Sequence, residues 1–365
     1  MSKRFVIDLV KYVLAVALLA YVVWANWGTP GSNGLGDVWQ RHVVEGKPIH
    51  YEFLLAAFGV TTAALLLTLL RWYFLVRAQD LPFTVPDALR IGLIGFYFNT
   101  FLPGSVGGDI IKAAFLAREQ SRRTVAVATV IMDRVIALWA LVWFVAILGS
   151  IFWLTGSLEG TLADRSKLLV GTADAVVAAS LVVWLLLGRL PQHRAERFAS
   201  RLERIPKVGA SAAEFWRAVW MYRCRQASVY LTMGLSWIGQ VGFVAAFYCS
   251  AHVLWDSSDG KAVPDLVQHF LMVPIGLVFQ AVVPLPGGMG AGEFGFGKLY
   301  QYFGGTDPAC GVLASLVQRV IGWVLGFAGY IVYLRLRTRL PRPQPVQGDR
   351  EDVLAAQVPA AVGEG

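Results

Sequence analysis

Two arginines lie deep in apolar runs of this chain, Arg134 in DRVIALW (133–139) and Arg319 in QRVIGWV (318–324). Each follows, at nearly equal spacing, a proline- and glycine-rich motif that closes on an acid: FLPGSVGGD (101–109) and PLPGGMGAGE (284–293). A guanidinium in an apolar setting is costly unless paired, so its ordinary uses there are to hold a carboxylate or to neutralise a phosphate. Asp109, Asp133 and Glu293 are the candidate counter-charges. Helices opening after the glycine runs, near Gly108 and Gly292, would add N-termini whose free N–H groups attract anions. Lys112 and Lys298 follow the motifs as weaker phosphate ligands, and Asn99, Gln280 and Gln318 add polar groups. The residues offer anion binding or the locking of two segments by ion pairs, and by themselves they leave both open.

Other chemistries find little support. GAGEFG (290–295) matches the dinucleotide pattern G-x-G-x-x-G, but no strand precedes it and an apolar segment surrounds it. There is no P-loop, no G-x-S-x-G and no H-E-x-x-H. Cys224, Cys249 and Cys310 are scattered, and the five histidines lack metal-ligand spacing. Neither an enzyme nor a cofactor is expected. The net charge of +8 could suggest nucleic acid, but its placement points elsewhere.

The elements that must position these residues are membrane helices. The chain is 56% hydrophobic and only 15% charged, whereas soluble domains carry about 25% charged residues. Crossing ~30 Å of hydrocarbon takes ~20 apolar residues. Runs of about that length or longer cover 5–24, 53–70, 124–154, 168–188, 228–254 and 310–334. The first contains Asp8 and Lys11 and lacks a cleavage site, so it reads as a retained anchor. Two further stretches, 88–117 and 265–303, are each broken by one of the motifs. If each is a hairpin that returns to the side it entered, the basic connections 71–90, 118–123 and 189–227 share one side with both termini. Arg71, Arg77 and Arg90 belong to the first of these. By the positive-inside rule that side is cytoplasmic. The expected fold is an all-α polytopic membrane protein with about six full transmembrane helices. Two Pro/Gly-broken, re-entrant hairpins complete it, related as an inverted repeat over about 88–154 and 265–334. The membrane domain covers 1–340, with a cytoplasmic amphipathic connection at 189–227 lying along the membrane surface. The Pro-, Ala- and Gln-rich tail 341–365 is expected to be disordered. Most positive charge thus faces lipid headgroups, and no nucleic-acid partner is expected.

The stretch NTFLPGSVGGDIIKAAFLAREQ (99–120), followed by DRVIAL and then PLPGGMGAGEFGF, resembles the transmembrane domain of the lysylphosphatidylglycerol synthase family. The resemblance covers about residues 5–335. It implies a flippase-like protein of the bacterial inner membrane that moves an anionic lipid between leaflets: a phospholipid, a modified lipid or a polyprenyl-phosphate-linked one. It assigns substrate binding or translocation to Asn99, Pro103, Gly104, Gly107, Gly108, Asp109, Asp133 and Arg134 in the first motif region. In the second it assigns them to Pro286, Gly287, Gly288, Gly290, Glu293 and Arg319. The synthases carry a large soluble aminoacyl-transferase domain after the membrane part, and here about 30 residues follow the last run. Any lipid-modifying or glycosyl transferase partner is therefore expected to be a separate polypeptide. The alternatives are an integral-membrane enzyme acting on a lipid phosphate and a non-transporting scaffold for envelope biosynthesis.

Overall fold

The computed structural model describes residues 3–28, 34–102, 107–120, 122–156, 163–189, 191–205, 209–255 and 263–337. Those residues form thirteen α-helices and no strand: α1 (Lys3–Ala25), α2 (Leu35–Trp39), α3 (Tyr51–Arg77), α4 (Val85–Phe101), α5 (Gly107–Glu119), α6 (Arg123–Leu154), α7 (Ala163–Arg189), α8 (Gln192–Glu203), α9 (Gly209–Cys224), α10 (Gln226–Ala251), α11 (Leu266–Val282), α12 (Ala291–Phe303) and α13 (Pro308–Arg337). A π-helical turn (Gln40–Val44) follows α2, and a 3₁₀ turn (Pro286–Gly288) precedes α12. The tail 341–365 lies outside the described residues, as do Pro103 and Gly104.

Among the described residues, five helices are long and apolar enough to cross a membrane: Val6–Ala25, Tyr51–Arg77, Arg123–Leu154, Gln226–Ala251 and Pro308–Leu336. The sixth expected run lies in α7, whose apolar part, Val170–Leu186, is shorter.

The repeat extends beyond the motifs. Helices α3, α4, α5 and α6 have 27, 17, 13 and 32 residues. Helices α10, α11, α12 and α13 have 26, 17, 13 and 30. Both 17-residue helices open on a capping box, Thr84 with Asp87 in α4 and Asp265 with Gln268 in α11. Each box satisfies helix-end N–H groups that would otherwise lack partners. The first helices of the two units pack side by side and antiparallel. His50 N–H donates to Val253 O, Gly242 lies against Ala64, and Arg71 donates to Ser236. Equivalent helices therefore point in opposite directions.

Each 17-residue helix folds back along the 13-residue one. At the foot of the first hairpin Arg90 pairs with Glu119 at 3.0 Å. At the foot of the second, Gln268 Nε2 donates to Phe303 O at 3.4 Å. Close packing of α4 on α5 depends on Gly108: a Cβ there would lie 1.9 Å from Gly95 O. Backbone cannot yield as a flexible side chain can, so Gly108→Ala should cost about 3 kcal/mol, the upper part of the overpacking range. Gly59→Ala, where a Cβ meets nothing within 4 Å, should be near neutral. Thermal unfolding of the purified protein checks both.

Buried apolar side chains surround this frame. One cluster joins Val22, Phe144, Phe247, Met272, Phe296 and Tyr300 around the second hairpin. Another gathers Trp72, Phe83, Ile91, Leu116 and Val125 around the first.

Candidate functional site

The matched helices place matched charges. Asp109 and Glu293 are each the third residue of their helix, α5 and α12. Arg134 and Arg319 are each the twelfth residue of α6 and α13. In the first unit Arg134 Nε donates to Asp109 Oδ2. Asp109 also faces Asn99 Nδ2 at 3.4 Å, while Asn99 Oδ1 accepts from Gly108 N–H at 2.8 Å. In the second unit Arg319 Nε donates to Glu293 Oε1, and its Nη2 to Oε2 at 3.0 Å. Glu293 Oε2 accepts in addition from Gly290 N–H at 2.7 Å. Of the three candidate counter-charges, Asp109 and Glu293 hold the arginines.

The two pairs differ in access. The Arg134 side chain is 45% exposed and Asp109 11%, whereas Arg319 is 6% and Glu293 0% exposed. One pair is open and its counterpart sealed.

Asp133 corrects an expectation. It does not serve either arginine of the motifs; it accepts from Arg71 Nε at 2.9 Å and from Lys112 Nζ at 3.2 Å. Successive residues on a helix point about 100° apart, so Asp133 and its neighbour Arg134 address different partners. Arg71, expected in a cytoplasmic connection, is instead a buried residue of α3. Its Nη1 also donates to Ser236 Oγ at 3.1 Å, and Lys112 Nζ lies 3.9 Å from the centre of the Trp72 ring. The helix continues past the apolar run 53–70 to Arg77, which draws Arg71 inward. A basic residue immediately after an apolar run was the signal available for it.

Both units open on a cavity of about 440 Å³. Its wall includes Asn99, Asp109, Lys112, Asp133, Arg134 and Arg71 from the first unit. From the second come Gln280, Gly287, Gly288, Gln318 and Arg319. The tip of the second hairpin crosses the end of α4 there. A Cβ on Gly287, whose φ is +53°, would lie 2.6 Å from Thr100 O, so the left-handed backbone and the close approach both require glycine. Gly287 O accepts from Gln280 Nε2 at 2.8 Å and from Arg319 Nη1 at 3.2 Å. Gln318 bridges α3 and α10, accepting from Thr61 and donating to Ser250 Oγ at 2.9 Å. Pro286 and Gly290 complete the tip, with Gly290 at φ +79°. Gly107 opens α5 against Leu102. Lys298 is not part of the wall; it donates to Gln301 on the outer side of α12 at 3.1 Å.

Four cations, Arg71, Lys112, Arg134 and Arg319, thus line one cavity with two carboxylates, Asp109 and Asp133, while the buried Glu293 pairs with Arg319 from behind the wall; the seven groups carry an excess of one positive charge. Each carboxylate already accepts from at least two donors. The arrangement can neutralise an incoming anion, with the half-exposed Arg134 the first group it meets. Among the described residues, no group of three or more His, Cys, Asp or Glu could hold a metal ion.

The family model described as the lysylphosphatidylglycerol synthase TM region matches residues 9–329. Neither the comparison with curated proteins nor that with solved structures finds a match.

Proposed function

The chain belongs to the lysylphosphatidylglycerol synthase transmembrane family, and from that premise we propose that this multi-pass membrane protein is a flippase-like transporter of anionic lipids. One observation carries the reading. Two antiparallel units bring Arg134 and its partner Asp109, and Arg319 of the equivalent pair, to the wall of one cavity, the first pair open and the second sealed by the burial of Glu293. Inverted repeats meeting at broken helices are the usual architecture of alternating access. The headgroup phosphate enters beside Arg134 while the tails stay in lipid. Exchange of the open and sealed states between units then presents it to the other leaflet.

The hairpins fit this use as re-entrant elements. At 1.5 Å per residue, α5 and α12 reach about 20 Å and α4 and α11 about 25 Å, short of ~30 Å of hydrocarbon. Irregular backbone at their tips is tolerable where protein and a polar cavity satisfy it. The placement of basic connections supports cytoplasmic termini in a bacterial inner membrane. A lipid-modifying or glycosyl transferase would supply the substrate.

Native mass spectrometry of gently extracted protein tests the binding step. The wild type should retain an anionic lipid. Arg134→Gln, which leaves Asp109 at the cavity wall facing Asn99, should weaken retention about tenfold, the loss expected for one charge-assisted hydrogen bond. Equal retention by the variant, or retention of zwitterionic lipid alone, would contradict the proposal.

A further inference from the structure

The hairpin α8–α9 carries a charge-segregated face that the cavity does not use. Ala195 and Ala199 are buried against α9, where Trp216 Nε1 donates to Ala195 O at 3.0 Å. Both acids of that helix turn to Arg217 on α9: Nε lies 3.0 Å from Glu196, and Nη2 lies 2.9 Å from Glu203. Arg217 holds the Glu196 carboxyl below its usual range. The acids are thereby neutralised on one side of the helix.

The opposite side is different. Arg194, Phe198, Arg201 and Ile205 follow at helical spacing and are exposed, Phe198 by 44% and Ile205 by 45%. Arg197 and Arg204 flank them, also exposed. Four exposed guanidinium groups border two half-exposed apolar side chains, Phe198 resting edge-on against Trp216 of α9 with ring centroids 4.8 Å apart, and the face suits the boundary between phosphate headgroups and acyl chains. The hairpin is also fixed in place. Tyr222 Oη donates to Leu75 O at 2.9 Å, Gln79 Nε2 to Ala218 O at 3.0 Å, and Arg225 pairs with Asp80. Leu75 lies one helical turn from Arg71, so the face is anchored on the helix that carries a cavity cation.

We propose that the face formed by Arg194, Arg197, Phe198 and Arg201 of α8, with Arg204 and Ile205 just beyond its end, docks on the anionic lipid surface of the leaflet it borders and gathers anionic headgroups beside the ends of α3 and α6. The occupant follows from charge complementarity: four exposed arginines on one face, with the acids withdrawn to another. Docking holds whether or not the cavity transports.

Amide hydrogen exchange of the full chain in nanodiscs tests it. In discs of phosphatidylcholine with a third of the lipid replaced by phosphatidylglycerol, residues 192–205 should exchange several-fold more slowly than in phosphatidylcholine alone. Residues 35–44 should not change. Replacing Arg194, Arg197, Arg201 and Arg204 by glutamine should abolish the difference while exchange in phosphatidylcholine stays at the parent value. Ile205→Ser, which keeps the charges and the Phe198–Trp216 contact, should remove part of it and serves if the first variant loosens α8. Equal exchange in both discs, or a difference that survives the four glutamines, overturns the proposal. So does inorganic phosphate that reproduces the slowing in phosphatidylcholine discs, since a free anion would then suffice.

Discussion

Asp133→Ala will unfold more readily than any other single exchange in the first unit, losing about 3–5 kcal/mol, the cost of breaking a buried ion pair from one side. Asp133 is the one carboxylate shared by Arg71 and Lys112, and all three side chains are less than a tenth exposed. Its removal leaves two like charges facing each other in a wall that water scarcely reaches. Asp133→Asn should be almost as damaging, because an amide can still accept from Arg71 but no longer offsets either charge. The converse exchange isolates the cause. A triple variant with Arg71→Met, Lys112→Met and Asp133→Leu removes every charge together and should recover most of the loss, as buried ion pairs often tolerate apolar replacement. Thermal unfolding of detergent-purified protein reads all three. If Asp133→Ala is no less stable than the wild type, the triad is not closed in the native protein.

Arg319→Gln should have a comparable effect on stability and a separate one on function. Glu293 is fully buried, and with Arg319 shortened it keeps only the Gly290 N–H as a partner. The single variant should lose about 3–5 kcal/mol for the same reason as Asp133→Ala. Adding Glu293→Gln neutralises the orphaned charge, and a glutamine oxygen can still accept from Gly290, so the double variant should regain most of that stability. The two uses of the arginine separate here. If the pair only locks the units together, the restored double variant moves lipid like the wild type. If Arg319 meets a phosphate in the alternate state, the double variant folds but translocates at least about tenfold more slowly, the equivalent of losing one charge-assisted hydrogen bond in the transition.

Much of this arrangement was legible in the chain. The motif pair, the nearly equal spacing to Arg134 and Arg319, and the counter-charges Asp109 and Glu293 could be read because a duplicated unit writes its positions twice. The four-helix extent of each unit was not legible, since α3 and α10 share length and packing and carry no common motif. Arg71 was misplaced because hydropathy marks where an apolar run ends, not where the helix ends. Asp133 stands among the candidate counter-charges in the sequence because the adjacency DR at 133–134 says nothing of the different directions the two side chains take. Lys298 resembled Lys112 in sequence, yet the position equivalent to Lys112 in α12 is Phe296, packed against Phe247. The basic amphipathic pattern at 192–205 was visible. That its acids fold back onto Arg217, leaving the arginines to charge the outward face, required the contact with α9.

Translocation itself is the decisive quantity. Purified protein in liposomes containing a trace of fluorescent phosphatidylglycerol, challenged with a membrane-impermeant quencher, reports how fast inner-leaflet probe becomes accessible. The wild type should expose it well above the rate of protein-free liposomes, and Arg134→Gln, equally folded, should fall at least about tenfold. A wild-type rate equal to that of empty liposomes, or an Arg134→Gln rate equal to the wild type, would contradict anionic-lipid transport through this cavity.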